Sequence, residues 1–128
     1  MSNSRLQELC DKVFSISQNI RFVGVITKMG RLIAGGMGQN LESMEDKNNS
    51  SRLYVQFALR TEMRKDFDRA FGKAIYSFTE REKIKLASFP LDDNHILRVS
   101  IEKKEIDHAQ IIQSILDIIR ALPRTDVG

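Results

Sequence analysis

The sequence predicts an α+β domain: a five-stranded antiparallel sheet in the order α-β-β-α-β-β-β-α, with the first and last helices on one face and the middle helix on the other. Three observations predict it. Amphipathic stripes with a single apolar face lie at the two ends of the chain. One segment, IRFVGVIT, is apolar on both faces. Three short, mostly alternating segments divided by turn residues follow a long apolar middle segment.

The first helix is predicted over 4–14, where Leu6, Leu9, Cys10, Val13 and Phe14 recur at spacings of three and four. Ser2, Asn3 and Ser4 offer cap oxygens. Ile20 to Thr27 reads as a central strand, because β-branched residues on both faces need cover on both sides. Lys28-Met29-Gly30-Arg31 turns the chain into a second strand, Arg31 to Met37. The polar stretch GQNLESMEDKNNSS, residues 38–51, is read as a loop anchored by Leu41 and Met44.

The middle helix is predicted from Arg52 to Phe71, ended by Gly72. The third strand runs from Ala74 to Glu80 and the fourth from Lys83 to Phe89, where Pro90 stops it. Asp92-Asp93-Asn94 signals a turn into the fifth strand, His95 to Glu102. The last helix opens at Asp107, with Gln110 three residues on, and carries Ile111, Ile112, Ile115, Leu116, Ile118, Ile119 and Leu122 before Pro123. The chain of 128 residues is expected to form one domain, with its core over about 4–122 and a polar tail over 123–128.

Composition excludes several classes. Cys10 is the single cysteine, so neither an intrachain disulfide nor a cysteine metal cluster is possible. The N-terminus MSNSRLQELC has no apolar core of a signal peptide, and no run approaches the ~18 apolar residues of a membrane span. The cytoplasm is the expected location. Net charge is +3, with acids and bases interleaved.

The element order, the hairpin IRFVGVITKMGRLIAGG and the meander closed by an Ile/Leu-rich helix resemble the roadblock/dynein light chain group of profilin-like folds. The similarity covers 4–122. It implies homodimerisation through the middle helices and service as a scaffold or regulator of a small Ras-like GTPase. Through FVGVI, GRLIAGGM, MRKDFD and REK the chain is also similar to a family of small proteins from ammonia-oxidising archaea, a resemblance that brings no activity with it.

No catalytic constellation emerges. His95 and His108 stand at a strand start and a helix start, outside any ligand spacing, and no Walker loop, nucleophile elbow or H-E-x-x-H helix is present. Gly35, Gly36 and Gly38 follow a strand, but the helix begins about fourteen residues later, so relief of crowding explains them better than phosphate binding. The chain is therefore expected to be no enzyme and to hold no cofactor or metal.

The middle helix is the unusual element. At 100° per residue, Leu53, Phe57, Leu59, Met63, Phe67, Ala70 and Phe71 fall in one arc of roughly 160°, and Arg60 and Arg64 lie inside it. One sheet face is too small to cover this helix, and leftover apolar surface marks an interface. Leu53, Phe57, Arg60, Met63, Arg64 and Phe67 are the candidate interface.

The alternative is a small-molecule sensing domain of profilin-like or PAS-like build. Its pocket between the sheet and the middle helix would be lined by Tyr76, Phe78 and Arg98. A weaker alternative is nucleic-acid binding through Arg60, Arg64, Lys65, Arg69, Lys73, Arg81, Lys83 and Lys85. Glu62, Asp66, Asp68, Glu80 and Glu82 dilute that patch.

Overall fold

The fold is given by a computed structural model that describes residues 2–38, 41, 44 and 47–123. Its elements are α1 (Asn3–Phe14), β1 (Ile20–Thr27), β2 (Leu32–Met37), α2 (Lys47–Arg64), a 3-10 turn (Lys65–Phe67), α3 (Asp68–Phe71), β3 (Ser77–Glu80), β4 (Ile84–Pro90), β5 (His95–Glu102) and α4 (His108–Arg120). The strands form one antiparallel sheet in the order β2-β1-β5-β4-β3. The expected α+β class, strand number and helix arrangement are observed.

The helix ends follow their caps. The Ser2 hydroxyl accepts from the Arg5 N–H at 3.3 Å, so α1 starts at Asn3. The Asp107 carboxylate accepts from the Gln110 N–H at 3.3 Å, but the return bond comes from Glu105, which accepts from the Asp107 N–H at 3.1 Å. The sequence leads one to expect Gln110 in that second role.

Three boundaries differ from expectation by more than two residues. The middle helix starts at Lys47, inside the expected loop, and breaks at Lys65 into a 3-10 turn and one α-turn. Phe67, at φ −107° and ψ 6°, leaves the helical region there, and Gly72 at φ 80° closes the segment. The third strand is shorter and starts at Ser77. Of the expected loop, residues 39, 40, 42, 43, 45 and 46 lie outside the described residues, as do 124–128 of the tail.

The sheet separates two cores. Under α1 and α4, the strand residues Val23, Val25, Ala87, Phe89, Leu97, Val99 and Ile101 meet Leu6, Leu9, Cys10 and Val13 of α1 and Ile111, Ile112, Ile115 and Leu116 of α4, all buried. A register shift in the β1–β5 ladder between Ile20 and Phe22 turns Ile20 onto this face as well. Under α2 the buried set is smaller: Ile26, Phe57, Ala58, Leu86 and Ile96, with Leu32, Leu53, Tyr54 and Ile84 at its margin. β1 is thus covered on both sides, as its apolar run requires. Gly35, at φ 81°, brings β2 so close to β1 that a Cβ there would lie 2.0 Å from the Val23 carbonyl oxygen. The N–H of Gly35 donates to the Gln7 side chain of α1 at 3.0 Å, which ties the sheet edge to the helix. Among the described residues no helix is long and apolar enough to cross a membrane.

Candidate functional site

The α2 side of the sheet carries the polar chemistry. Alternation along β5 sends Ile96, Arg98 and Ser100 toward α2, while Leu97, Val99 and Ile101 enter the other core. Gly30 in the β1–β2 turn, at φ 83°, lets the hairpin pass under α2, since a Cβ there would lie 2.7 Å from Val55 Cα. Against this hairpin, Tyr54, Phe57 and Ala58 of α2 pack down on the sheet.

Arg98 lies at the centre of this face and is only 2% exposed. Its guanidinium carbon stands 4.9 Å from the ring centroid of Phe22, 5.2 Å from that of Tyr54 and 5.0 Å from that of Phe57. Aromatic faces carry negative potential, so this box stabilises a cation withdrawn from water. Past Arg98, helix and sheet diverge into a cleft of about 410 Å³. Arg52, Leu53, Gln56, Phe57 and Arg60 of α2 line one wall, and Thr79, Arg81, Ile84, Leu86, Arg98 and Ser100 line the other. Four arginines and no carboxylate appear among its described lining residues.

On its outward flank α2 exposes a second feature. Val55, Leu59 and Met63 recur every four residues and are 43%, 57% and 67% exposed. Phe67 and Phe71 continue the apolar surface, stacked on each other at 6.0 Å, with Phe71 82% exposed. Ile75 and Tyr76 follow, also exposed.

The six candidate interface residues divide between the two sides. Arg60, Met63, Arg64 and Phe67 are exposed. Leu53 and Phe57 instead pack on the chain's own sheet. The helix is oriented by Tyr54, Phe57, Ala58 and Thr61, at i, i+3, i+4 and i+7, so the arc expected to face outward contributes two of its members to the core. The Thr61 hydroxyl is satisfied within the helix, donating to the Phe57 carbonyl at 2.9 Å.

The candidate pocket of Tyr76, Phe78 and Arg98 does not assemble. Phe78 pairs with Ala87 in the register and packs against the α1/α4 core, and Tyr76 stacks on the buried Phe89 at 6.0 Å. Arg98 is on the opposite face, so the sheet lies between them. Arg98 does line a cleft, but with Arg52, Gln56, Arg60 and Arg81. Sequence reasoning missed Arg52 and Gln56, although with Arg60 they form a polar row at i, i+4 and i+8 along one helix flank. The basic patch is also divided: Lys85 is buried on the α1/α4 side, its ammonium donating to the Glu105 carbonyl and lying 3.1 Å from His108 Nδ1.

Both histidines have structural partners. His108 stacks on Phe78 at 4.5 Å, and His95 Nδ1 lies 2.8 Å from an oxygen of Asp92 across the β4–β5 turn. Burial pushes the Cys10 thiol up to about 11, with the neighbouring Asp11 carboxylate adding to the shift. Among the described residues no three His, Cys, Asp or Glu side chains gather as a metal site would require.

Residues 3–120 match the profile of the family of unknown function DUF6659. The chain belongs to that family. Among curated proteins none matches it. Solved structures share its fold. A Roadblock/LC7 domain from Streptomyces avermitilis superposes with a TM-score of 0.66 at 10% identity, covering 91% of this chain and 92% of that one. MglB of Myxococcus xanthus gives 0.66 at 17% identity, covering 92% and 86%. A Schizosaccharomyces pombe profilin gives 0.57 at 12% identity, covering 90% and 96%. The DUF6659 chain therefore has a roadblock/profilin-like fold.

Proposed function

We propose that this chain is a non-catalytic, homodimeric protein-interaction module whose working surface is the outward flank of α2. The observation that carries the reading is the exposed row Val55, Leu59 and Met63, extended by Phe67 and Phe71. Scattered apolar residues on a surface are ordinary, whereas a contiguous set rimmed by charges marks an interface. A four-residue repeat on one helix is self-complementary. Two copies crossing about a two-fold axis bury the same row from both sides. Arg64, exposed beside that row, then contributes to its charged rim, while Arg60 lines the cleft.

The roadblock resemblance extends the reading to a Ras-like GTPase as the further partner of the dimer. We place the module in the cytoplasm, where a lone buried thiol stays reduced.

Solution mass tests the core of this reading. Sedimentation equilibrium is expected to give twice the 14.7 kDa of the chain. The double variant Leu59→Glu, Met63→Glu is expected to give 14.7 kDa with an unchanged circular dichroism spectrum. A wild-type chain that stays monomeric at about 100 μM, a concentration that populates even weak dimers, overturns it. For the GTPase, titrating a Ras-like GTPase of the same organism in its GDP and GTP forms is expected to show binding to one form. Binding to neither removes that partner.

A further inference from the structure

We infer that the arginine-lined cleft between α2 and β3–β5 is a binding site for a small, multiply charged phosphate ester. The argument starts from an imbalance of charge. Over the chain as a whole, 20 Lys and Arg are interleaved with 17 Asp and Glu. Elsewhere basic groups meet acids directly: Arg21 with Glu102 at 2.8 Å, Lys65 with Glu62 at 2.9 Å, and Lys103 with Glu80. Among the described residues of the cleft that pattern fails. Arg52, Arg60 and Arg81 have no carboxylate partner among the described residues, and all three line the same cleft as Arg98. Like charges brought together repel, and a cleft with an apolar floor strengthens that repulsion by keeping the dielectric low. An anion relieves it.

The shape and the residue type narrow the anion. A volume of about 410 Å³ suits a small molecule and falls within the range of ligand clefts. Guanidinium groups hold phosphate through paired N–H bonds, and several guanidinium groups call for several negative oxygens. Gln56, Thr79 and Ser100 add neutral hydrogen-bonding groups beside the arginines. Phe57 and Ile84 supply an apolar surface for an organic body attached to the phosphate. Val55, Leu59 and Met63 do not line the cleft, so the proposed dimer row borders this site without forming its wall.

The probe is inorganic pyrophosphate, titrated calorimetrically into the full chain at low and at high salt. Saturable binding with one site per chain and a Kd below about 1 mM is expected, weakening as salt rises. The double variant Arg60→Ala, Arg81→Ala is expected to lose at least tenfold in affinity. Both residues are exposed, so the fold is retained, and a thermal melt checks it. Arg31→Ala, a charge loss in the β1–β2 turn outside the cleft, is expected to leave the affinity unchanged. Absence of saturable binding at millimolar pyrophosphate overturns the proposal. So does an equal loss in Arg31→Ala, which would mean diffuse attraction to net charge. A glutamate-rich peptide that binds as tightly as pyrophosphate overturns the assignment to phosphate. A Leu59→Asn, Met63→Gln variant, which removes the apolar row without adding charge beside Arg60, is expected to be monomeric and to bind pyrophosphate like the wild type, so failure of the dimer and failure of this site give different results.

Discussion

The face of the sheet under α1 and α4 is closed by two helices and filled with aliphatic side chains, whereas the face under α2 is covered by one helix and holds a guanidinium at its centre. One strand serves both: β5 gives Leu97, Val99 and Ile101 to the first and Ile96, Arg98 and Ser100 to the second. The contrast separates two tasks. The first face holds the larger set of buried apolar residues, and such burial is worth about 25 cal/mol per Å². That surplus lets the second face keep an arginine, an open cleft and exposed aromatic rings.

The largest expected effect tests the first half of the contrast. Leu9 of α1, 1% exposed, and Ile115 of α4, fully buried, belong to the same core over the sheet. Leu9→Ala and Ile115→Ala should each cost about 3 kcal/mol in urea unfolding, from lost transfer energy and the cavity left behind. Costs under about 1 kcal/mol would mean that this face is not the stability reservoir.

Arg98 tests the second half. Replacing it by Ala removes three ring contacts and a buried cation, with an expected cost of about 2 kcal/mol. Arg98→Lys keeps the charge but loses the flat guanidinium that stacks between rings, so it should recover less than half of that loss. Full recovery by Lys would show that charge alone holds the face together.

The sequence makes the two faces unequally legible. Leu6, Leu9, Cys10 and Val13, and the isoleucines of α4, lie on helices with a single apolar stripe, so periodicity alone points them inward. The strand IRFVGVIT is marked by its continuous apolar run and His95–Glu102 by its alternation, each next to turn residues. α2 is harder to read. Apolar residues surround it, and the window from Leu53 to Phe71 admits more than one inward face. The choice falls to Tyr54, Phe57, Ala58 and Thr61 because Gly30 and Arg98 dictate how the hairpin and the aromatic box meet the helix. These are tertiary contacts, absent from any local pattern. The break at Lys65 is equally hidden, since no proline or glycine occurs between Lys65 and Phe71. That Tyr76 and Phe78 take the α1/α4 side is hidden for a different reason: alternation puts the two on one face of the expected third strand but does not say which face that is.

A smaller effect sharpens the contrast on α2 itself. Leu59→Ala should change the stability of the isolated chain by less than about 0.5 kcal/mol, because its side chain meets water. Phe57→Ala, two residues away and 7% exposed, should cost about 3 kcal/mol. Unfolding measured under dilute conditions, where chains are apart, checks both. A loss at Leu59 equal to that at Phe57 would mean that the outward flank is covered even in the monomer.

The smallest effect is electrostatic and belongs to the closed face. Glu105 joins the loop before α4 to the loop after α1. It accepts from the Asn19 side chain at 3.1 Å, from the Asp107 N–H at 3.1 Å and from the Ser17 hydroxyl at 3.3 Å. The bond from Asn19 is the largest of these influences and the Asp107 N–H the next, and together they hold the carboxyl below its usual 4.5. A lowered folded-state value means that ionised Glu105 favours the fold. Its contribution is complete above about pH 4.5 and fades as the pH falls through the lowered value. Glu105→Gln cannot titrate, so its stability should decline less steeply below pH 4.5, and the two curves should converge in acid. Arg60→Ala, in the cleft, loses no carboxylate and should keep the wild-type acid slope. Parallel acid limbs for Glu105→Gln and the wild type would show that this clamp contributes nothing to the closed face. The packing of α1 and α4 alone would then account for the difference between the two sides of the sheet.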